Sequence, residues 1–282
     1  MSKITVVALV AALFLVSCGE APPVHSEAEP EAEPEKIQTG APMGETVDVK
    51  DIVAARIYLK REAFESMPGR TGILAEKPLY SVFAEEVIIR DFFQDREGGF
   101  YLDVGAAWAV TGSNTYYLEK NLGWTGIGVD ALIDYAPEWA ELRPKSKFVN
   151  FLVTDKSGGE GVFFKSDTLG LSSTSKWHAK GGLFGGDEDP TEVRIPMITL
   201  NDLLDREGVE KIDLVSMDIE GHEPKAFAGF DIERFAPELL VVEGKNKGVK
   251  EYLEEHGYVQ IERYKKFDTV NGYYERAKKV DP

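Results

Sequence analysis

From residue 100 onward the chain alternates short apolar runs with amphipathic stretches, and this alternation constrains the fold more than any other feature of its 282 residues. Runs at 100–104, 125–129, 147–153, 161–165, 193–198, 212–220 and 238–243 read as strands. Helix-period segments at 113–121, 137–142, 200–207, 223–227 and 249–256 lie between them, and Thr199 precedes one as an N-cap. Strands joined by crossover helices run parallel, so the fold class is α/β with a doubly wound, mostly parallel sheet. The run Ile-Asp-Leu-Val-Ser-Met-Asp-Ile-Glu, 212–220, is apolar at most positions and reads as a central strand covered on both faces. The last two alternating runs flank Asp268 to Gly272 and read as an antiparallel pair turning near Asn271-Gly272.

Ahead of this region the composition divides the chain. Lys3 and a short apolar core end at Leu15-Val16-Ser17-Cys18, with the chain's only cysteine. The core is too short to span a bilayer and fits a signal peptide. Its ending resembles a bacterial lipobox, which would make 1–18 a lipoprotein signal with Cys18 as the lipidated residue. Residues 19–46 are rich in Pro, Ala and Glu and read as a disordered acidic tether. Residues 47–99 form a helical lead-in, with helices at 47–67 and 80–93, and 100–282 the main domain. The expected location is the bacterial cell envelope, lipid-anchored through Cys18; a start site further downstream would leave the domain cytoplasmic.

A net charge of −17 excludes a nucleic-acid partner and electrostatic adhesion to an anionic membrane, both of which need clustered Lys and Arg. One cysteine excludes a disulfide framework and a Cys-based zinc site.

Ligands of a doubly wound sheet sit outside the carboxyl ends of its strands. Here those ends read Asp103-Val104-Gly105, Val129-Asp130, Thr154-Asp155, Asp218-Ile219-Glu220-Gly221-His222 and Glu243. Every one carries an acid, which suits a ligand with hydroxyls, an amine or a positive centre and repels phosphate. The first loop has only Gly105 and Gly112, with Trp108 between them. Gly105 allows close backbone approach, and Asp130, 25 residues further on, is spaced to take a ribose diol. A ribose acid without a phosphate cradle points to S-adenosylmethionine. The competing reading of each aspartate is a cap on the following helix.

The segments "DVGA", "SNTYYLEKNLGWTGIGVD", "LVSMDIEGHEPKAFAGF", "KPLYSVFAEEVIIRDFF" and "PELLVVE" together resemble the FkbM-type methyltransferases over residues 80–243. The resemblance implies a class I methyltransferase fold, Rossmann-like, with a seven-stranded sheet that includes an antiparallel strand. It also implies S-adenosylmethionine-dependent O-methylation of a small hydroxylated or sugar-like acceptor. Carried over, Asp103, Gly105 and Ala106 border the methionine part, and Ser113, Asn114 and Thr115 start the helix facing it. Asp130 takes the ribose and Asp155 lies near the adenine amine, while Asp218, Glu220 and His222 face the methyl and the acceptor. His222 is the first candidate base because imidazole titrates near neutrality; Asp218 is the second, as base or as orienter of His222. A divalent metal held by Asp218, His222 and Glu243 is not favoured, since no ligand-spacing motif is present.

Two departures stand out. Ala107-Trp108-Ala109 replaces the family's Asn-Asp-Gly-like continuation, and Trp108 either stacks on a ligand or fills its place. An export signal also separates the domain from a cofactor made in the cytosol. The alternative function is a non-catalytic envelope lipoprotein that uses Trp108 and the 166–190 loop to bind a glycan or protein partner. A Rossmann enzyme using another nucleotide fits the glycine-poor loop least.

Overall fold

A computed structural model describes residues 80–83, 85–166, 171–181, 189–244 and 246–277. The proposed signal with Cys18, the tether and the 47–67 helix lie outside the described residues, as does part of the 166–190 loop.

The strands in chain order are β1 Phe100–Val104, β2 Thr125–Asp130, β3 Ser146–Asn150, β4 Leu152–Val153, β5 Glu160–Lys165, β6 Thr191–Ile198, β7 Leu214–Met217, β8 Leu239–Glu243, β9 Tyr258–Gln260 and β10 Asn271–Arg276. The α-helices are α1 Glu85–Phe93, α2 Tyr116–Leu122, α3 Ala136–Leu142, α4 Lys176–Ala179, α5 Leu200–Glu207, α6 Glu223–Ala228, α7 Ile232–Phe235 and α8 Lys247–Glu255. Seven strands form the main sheet in the order β3-β2-β1-β7-β8-β10-β9. All pair parallel except β10, which runs antiparallel to both β8 and β9. This is the expected mostly parallel, seven-stranded sheet with its C-terminal antiparallel pair. A smaller sheet, β4-β6-β5, follows β3.

The side-chain period of two gives each face its own core. Leu102, Val104, Val215, Met217, Leu240 and Val242 face one way and pack with α5, α6 and α8 through Leu203, Phe227 and Leu253. Tyr101, Leu214, Leu239 and Val241 face the other way, against Val87, Ile88, Ile89 and Leu118 of α1 and α2 and against Trp124. The same parity directs the polar strand ends. Asp103 pairs in register with Ser216, and Ser216 with Val241. One period further along, Asp218 leaves β7 beside Glu243 at the end of β8. Parallel register and period-two parity thus deliver the acids to one rim and one face.

Several boundaries differ from the sequence expectation. The helix expected over 80–93 begins only at Glu85. Glu86 draws the amides of Tyr80 and Ser81 to its carboxylate, and Ser81 bridges to Gly112, so 80–83 runs beside the first loop instead. The run 147–153 splits into β3 and β4, because Phe151 N still donates to Asp130 while Leu152 and Val153 pair with β6. The long apolar run 212–220 is strand only over Leu214–Met217. Asn271 and Gly272 open β10 rather than forming the turn; the reversal is made ahead of them by Asp268, whose Oδ1 accepts from Val270 N and Asn271 N. Thr199 caps α5 as expected, accepting from Asp202 N. Among the described residues no helix is long and apolar enough to cross a membrane.

Candidate active site

A cleft of about 210 Å³ opens at the carboxyl ends of β1, β2 and β7. Its walls carry five acids, Glu85, Asp103, Asp130, Asp218 and Glu220, and neither a lysine nor an arginine among the described residues. Apolar groups complete it: Leu132, Phe151 and Leu152 on the β2–β3 side, Val82 and Phe83 on the side of α1.

The first loop is shaped from below as well as from the cleft. Gly105 adopts φ +83°, and a Cβ there would stand 1.8 Å from the Asp218 carbonyl oxygen. Its lack of a side chain therefore serves the approach of the β1 and β7 ends, in addition to any approach of a ligand. Ala107 takes a left-handed φ of 43°, which costs a residue with a Cβ about 1 kcal/mol or more. Three bonds hold the loop in that shape. Ala107 N donates to Asp130 Oδ2 (3.0 Å), Trp139 Nε1 donates to Ala107 O (2.8 Å), and Ala109 N reaches Glu138 Oε2 (3.4 Å). Trp108 does not fill the cleft: it stands as one wall, edge-on to Tyr135 with centroids 5.8 Å apart, above Gly112.

The expected cofactor residues divide into those that face the cleft and those that support it. Asp103, Gly105, Ala106, Ser113, Asn114 and Asp130 line it. Asp130 also accepts from Leu132 N (2.7 Å), so each of its oxygens already holds one backbone amide and keeps a second lone pair for a ligand. Withdrawal from water pushes its carboxyl up to about 6 against those two bonds. Burial likewise pushes Asp103 up to about 6, opposed by the Thr115 hydroxyl at 2.7 Å and by Arg143. Ser113, Asn114 and Thr115 precede α2 rather than belonging to it. Ser113 Oγ accepts from Tyr116 N, Asn114 Nδ2 donates to Ser216 Oγ, and fully buried Thr115 supports Asp103 from behind. Asp155 is not brought to the cleft. It sits on the surface, ion-paired to Lys225 at 2.8 Å, and that bond holds its carboxyl below the usual range.

Past Met217 the chain makes a tight turn. Glu220 takes φ 55° and Gly221 φ 88°, and buried Glu223 Oε1 accepts from Ile219 N and Gly221 N at 3.2 Å each. The turn leaves Asp218, Glu220 and Glu243 with carboxylate oxygens within 4.8 Å of one another. Withdrawal from bulk water and then the facing Glu243 raise Asp218 well above the usual carboxylate range, although it stays open to the cleft. Glu220 is raised by burial and by Asp218, and Glu243 reaches about 7 by burial and by Glu220. Among the described residues this acid trio has the spacing to share a divalent cation; His222, weighed with Asp218 and Glu243 as a metal set and not favoured, is not part of it.

His222 lines the cleft with Nδ1 at 3.1 Å from Thr174 Oγ1 and Nε2 at 3.3 Å from Thr154 Oγ1. Two threonine hydroxyls therefore orient its ring, in place of the expected Asp218. Burial depresses its pKa, Asp155 opposes that and Lys225 adds to it, so the ring is neutral at pH 7.

Sequence reasoning missed three participants. Glu85 falls within the expected 80–93 helix with no role assigned to it, but lies buried on the cleft wall, pushed up to about 8 by burial and by Asp268. Thr174 belongs to a segment without periodicity. Arg143 precedes a proline at a helix end and carries no motif. Only the tertiary fold brings these three to the site.

The model of the methyltransferase FkbM domain matches residues 103–259. That is more than half of the chain, which belongs to this family and is a methyltransferase by that membership. No curated protein matches the chain. Among solved structures, a Pyrococcus horikoshii protein described as an RNA methyltransferase aligns at 13% identity and a TM-score of 0.34, covering 79% of this chain and 99% of its own. A 1,6-didemethyltoxoflavin-N1-methyltransferase from Burkholderia thailandensis, with its substrate and S-adenosylhomocysteine bound, aligns at 11% identity and a TM-score of 0.34, covering 88% of this chain and 100% of its own.

Proposed function

We propose that the cleft binds S-adenosylmethionine and methylates an oxygen of a small hydroxylated or sugar-like acceptor. One observation carries this: among the described residues, five acids and no lysine or arginine line a cleft bordered by a glycine-poor loop. A phosphate would be repelled by Asp103 and Asp130 and would meet no cation on the described walls, whereas a cationic, ribose-containing cofactor is complemented. Asp103, Gly105, Ala106, Ser113 and Asn114 border the methionine part, with Thr115 behind Asp103. Asp130 keeps lone pairs for the ribose hydroxyls, and Leu132, Phe151 and Leu152 offer an apolar slot for the adenine. The cofactor supplies an already activated methyl group, so the protein's main task is alignment. Neutral His222 accepts the acceptor's hydroxyl proton, exchanging one threonine contact for the substrate. Asp218 and Glu220 hold neighbouring hydroxyls of the acceptor. The open space beside Trp108 favours this reading over a non-catalytic binding module.

The test is turnover with methyl-labelled S-adenosylmethionine and a panel of sugars, polyols and amines, with the methylated atom located by NMR. Labelled oxygen supports the reading; labelled nitrogen corrects the acceptor class; no transfer with any member refutes catalysis on small acceptors. His222→Asn is expected to lower kcat about a hundredfold with little change in KM for the cofactor.

For the N-terminus we infer lipid anchoring at Cys18, supported by the lipobox-like Leu-Val-Ser-Cys and the acidic tether after it. Cys18→Ser should then move the protein out of the membrane fraction. A wild-type protein already in the soluble fraction contradicts the anchor.

A further inference from the structure

Beneath the first loop lies a guanidinium with no outlet to solvent. Arg143 is 1% exposed. A guanidinium has five N–H donors and no acceptor, and here all five are used. Nε donates to Glu119 Oε2 at 2.8 Å. Nη1 donates to Ala109 O at 2.8 Å and to Ser113 Oγ at 3.2 Å. Nη2 donates to Thr115 Oγ1 at 3.0 Å and to the Tyr101 hydroxyl. The plane also lies 4.3 Å from the centre of the Trp139 ring, whose Nε1 holds Ala107 O. One cation thus grips the glycine-poor loop at its middle, Ala109, and at its far end, Ser113 and Thr115.

The polarity of these bonds has a consequence. Arg143 can only donate, so Thr115 Oγ1 accepts from it and must direct its own proton elsewhere. That proton points to Asp103 Oδ2, 2.7 Å away. Asp103 therefore presents its other oxygen to the cleft, with its charge steadied from behind. The groups facing Asp103 are Thr115 and Arg143 on this side, the Tyr101 hydroxyl on its own strand, and the acids Asp130 of β2 and Asp218 beyond β7. Burial favours protonation of Asp103; Thr115 and Arg143 are what oppose it.

We propose that Arg143 is the positioning residue of the cofactor loop, fixing its shape at Ala109 and Ser113 and holding Asp103 ionised and oriented through Thr115. This rests on the cleft being a cofactor site. Arg143 touches neither cofactor nor acceptor. Lysine cannot replace it, because an ammonium lacks the planar fork that reaches all five acceptors.

The test uses Thr115→Val and Arg143→Lys in the full chain. Thr115→Val keeps the side-chain shape, so it stands even where Arg143→Lys fails to fold. Carbon-detected NMR follows the Asp103 carboxyl with pH in the free protein, and calorimetry measures S-adenosylhomocysteine binding. Both variants should move the Asp103 midpoint upward. Binding should weaken about tenfold at neutral pH, with the deficit shrinking once the pH exceeds the variant's midpoint. An unmoved Asp103 midpoint, or a loss of affinity equal at every pH, overturns the proposal, since a merely structural role gives that result. A wild-type protein that takes up no S-adenosylhomocysteine overturns the cofactor reading instead, and the NMR midpoint still judges the coupling of Arg143 to Asp103.

Discussion

The two rims of the main sheet use the same acidic side chains to opposite ends. At the amino end of β7, Asp213 accepts from Phe100 N at 2.8 Å and pairs with Lys211 at 2.6 Å and Arg96 at 3.1 Å. Glu238 shares those two cations. Burial alone would raise Asp213, but the Lys211 bond and the Phe100 amide outweigh it and hold the carboxyl below its usual range. At the carboxyl end of the same strands burial raises Asp103, and burial together with repulsion from neighbouring carboxylates raises Asp218, Glu220 and Glu243. Asp213 closes a structural joint between strands. On the opposite rim Arg143 reaches Asp103 only through Thr115, and among the described residues no lysine or arginine lines the cleft beside the acids, an arrangement that costs stability and marks a candidate functional site.

The largest effect that would break this comparison is expected at Gly105. Gly105→Ala places a Cβ against the Asp218 carbonyl at a left-handed φ, so it should cost about 3 kcal/mol or more in denaturant unfolding and abolish cofactor binding. Next is a paired substitution that sets the rims apart. Asp213→Asn should destabilise by about 2 kcal/mol, leaving Lys211 and the Phe100 amide poorly matched. Asp218→Asn should leave the thermal midpoint unchanged or raise it, because it relieves repulsion, while methyl transfer falls at least about a hundredfold.

The pH dependence sharpens the same contrast. Asp103, Asp130, Glu243 and Glu85, at about 6, 6, 7 and 8, bind protons more tightly folded than unfolded. Their stabilisation is complete below the unfolded carboxylate range and is lost as pH rises through those values. The thermal midpoint of the ligand-free protein should therefore fall by about 5 °C between about pH 5 and pH 8.5. Asp213 has the opposite sign, and its contribution is lost only in acid. The smallest effect is expected at Asp155. Its exposed pair with Lys225 lies off the cleft, so Asp155→Ala should change cofactor affinity less than about twofold.

Much of the fold was legible because the chain writes it in apolar period. The strands at 100–104, 125–129 and 238–243, and α5 with its Thr199 cap, fall within a residue of expectation. Segments failed where a side chain overrode the local pattern, as when Glu86 pulls 80–83 out of α1 or the Asp218–His222 turn ends β7 early. The acids of the site were legible as strand-end positions, since parity and parallel register fix where strand ends gather. Their partners were not, because Thr154 and Thr174 around His222, and Arg143 under the loop, meet only through tertiary packing. Asp155 misled for the same reason: it follows β4 of the small sheet, not β3 of the main one.

The direct test of the two-rim account is calorimetry of S-adenosylhomocysteine with wild-type protein, Asp103→Asn, Asp130→Ala and Asp213→Asn. One-to-one binding should be seen for wild type and for folded Asp213→Asn, and should be about a hundredfold weaker for the two cleft variants. No binding by wild type, or equal weakening by Asp213→Asn, would contradict the assignment of the carboxyl rim as the cofactor site.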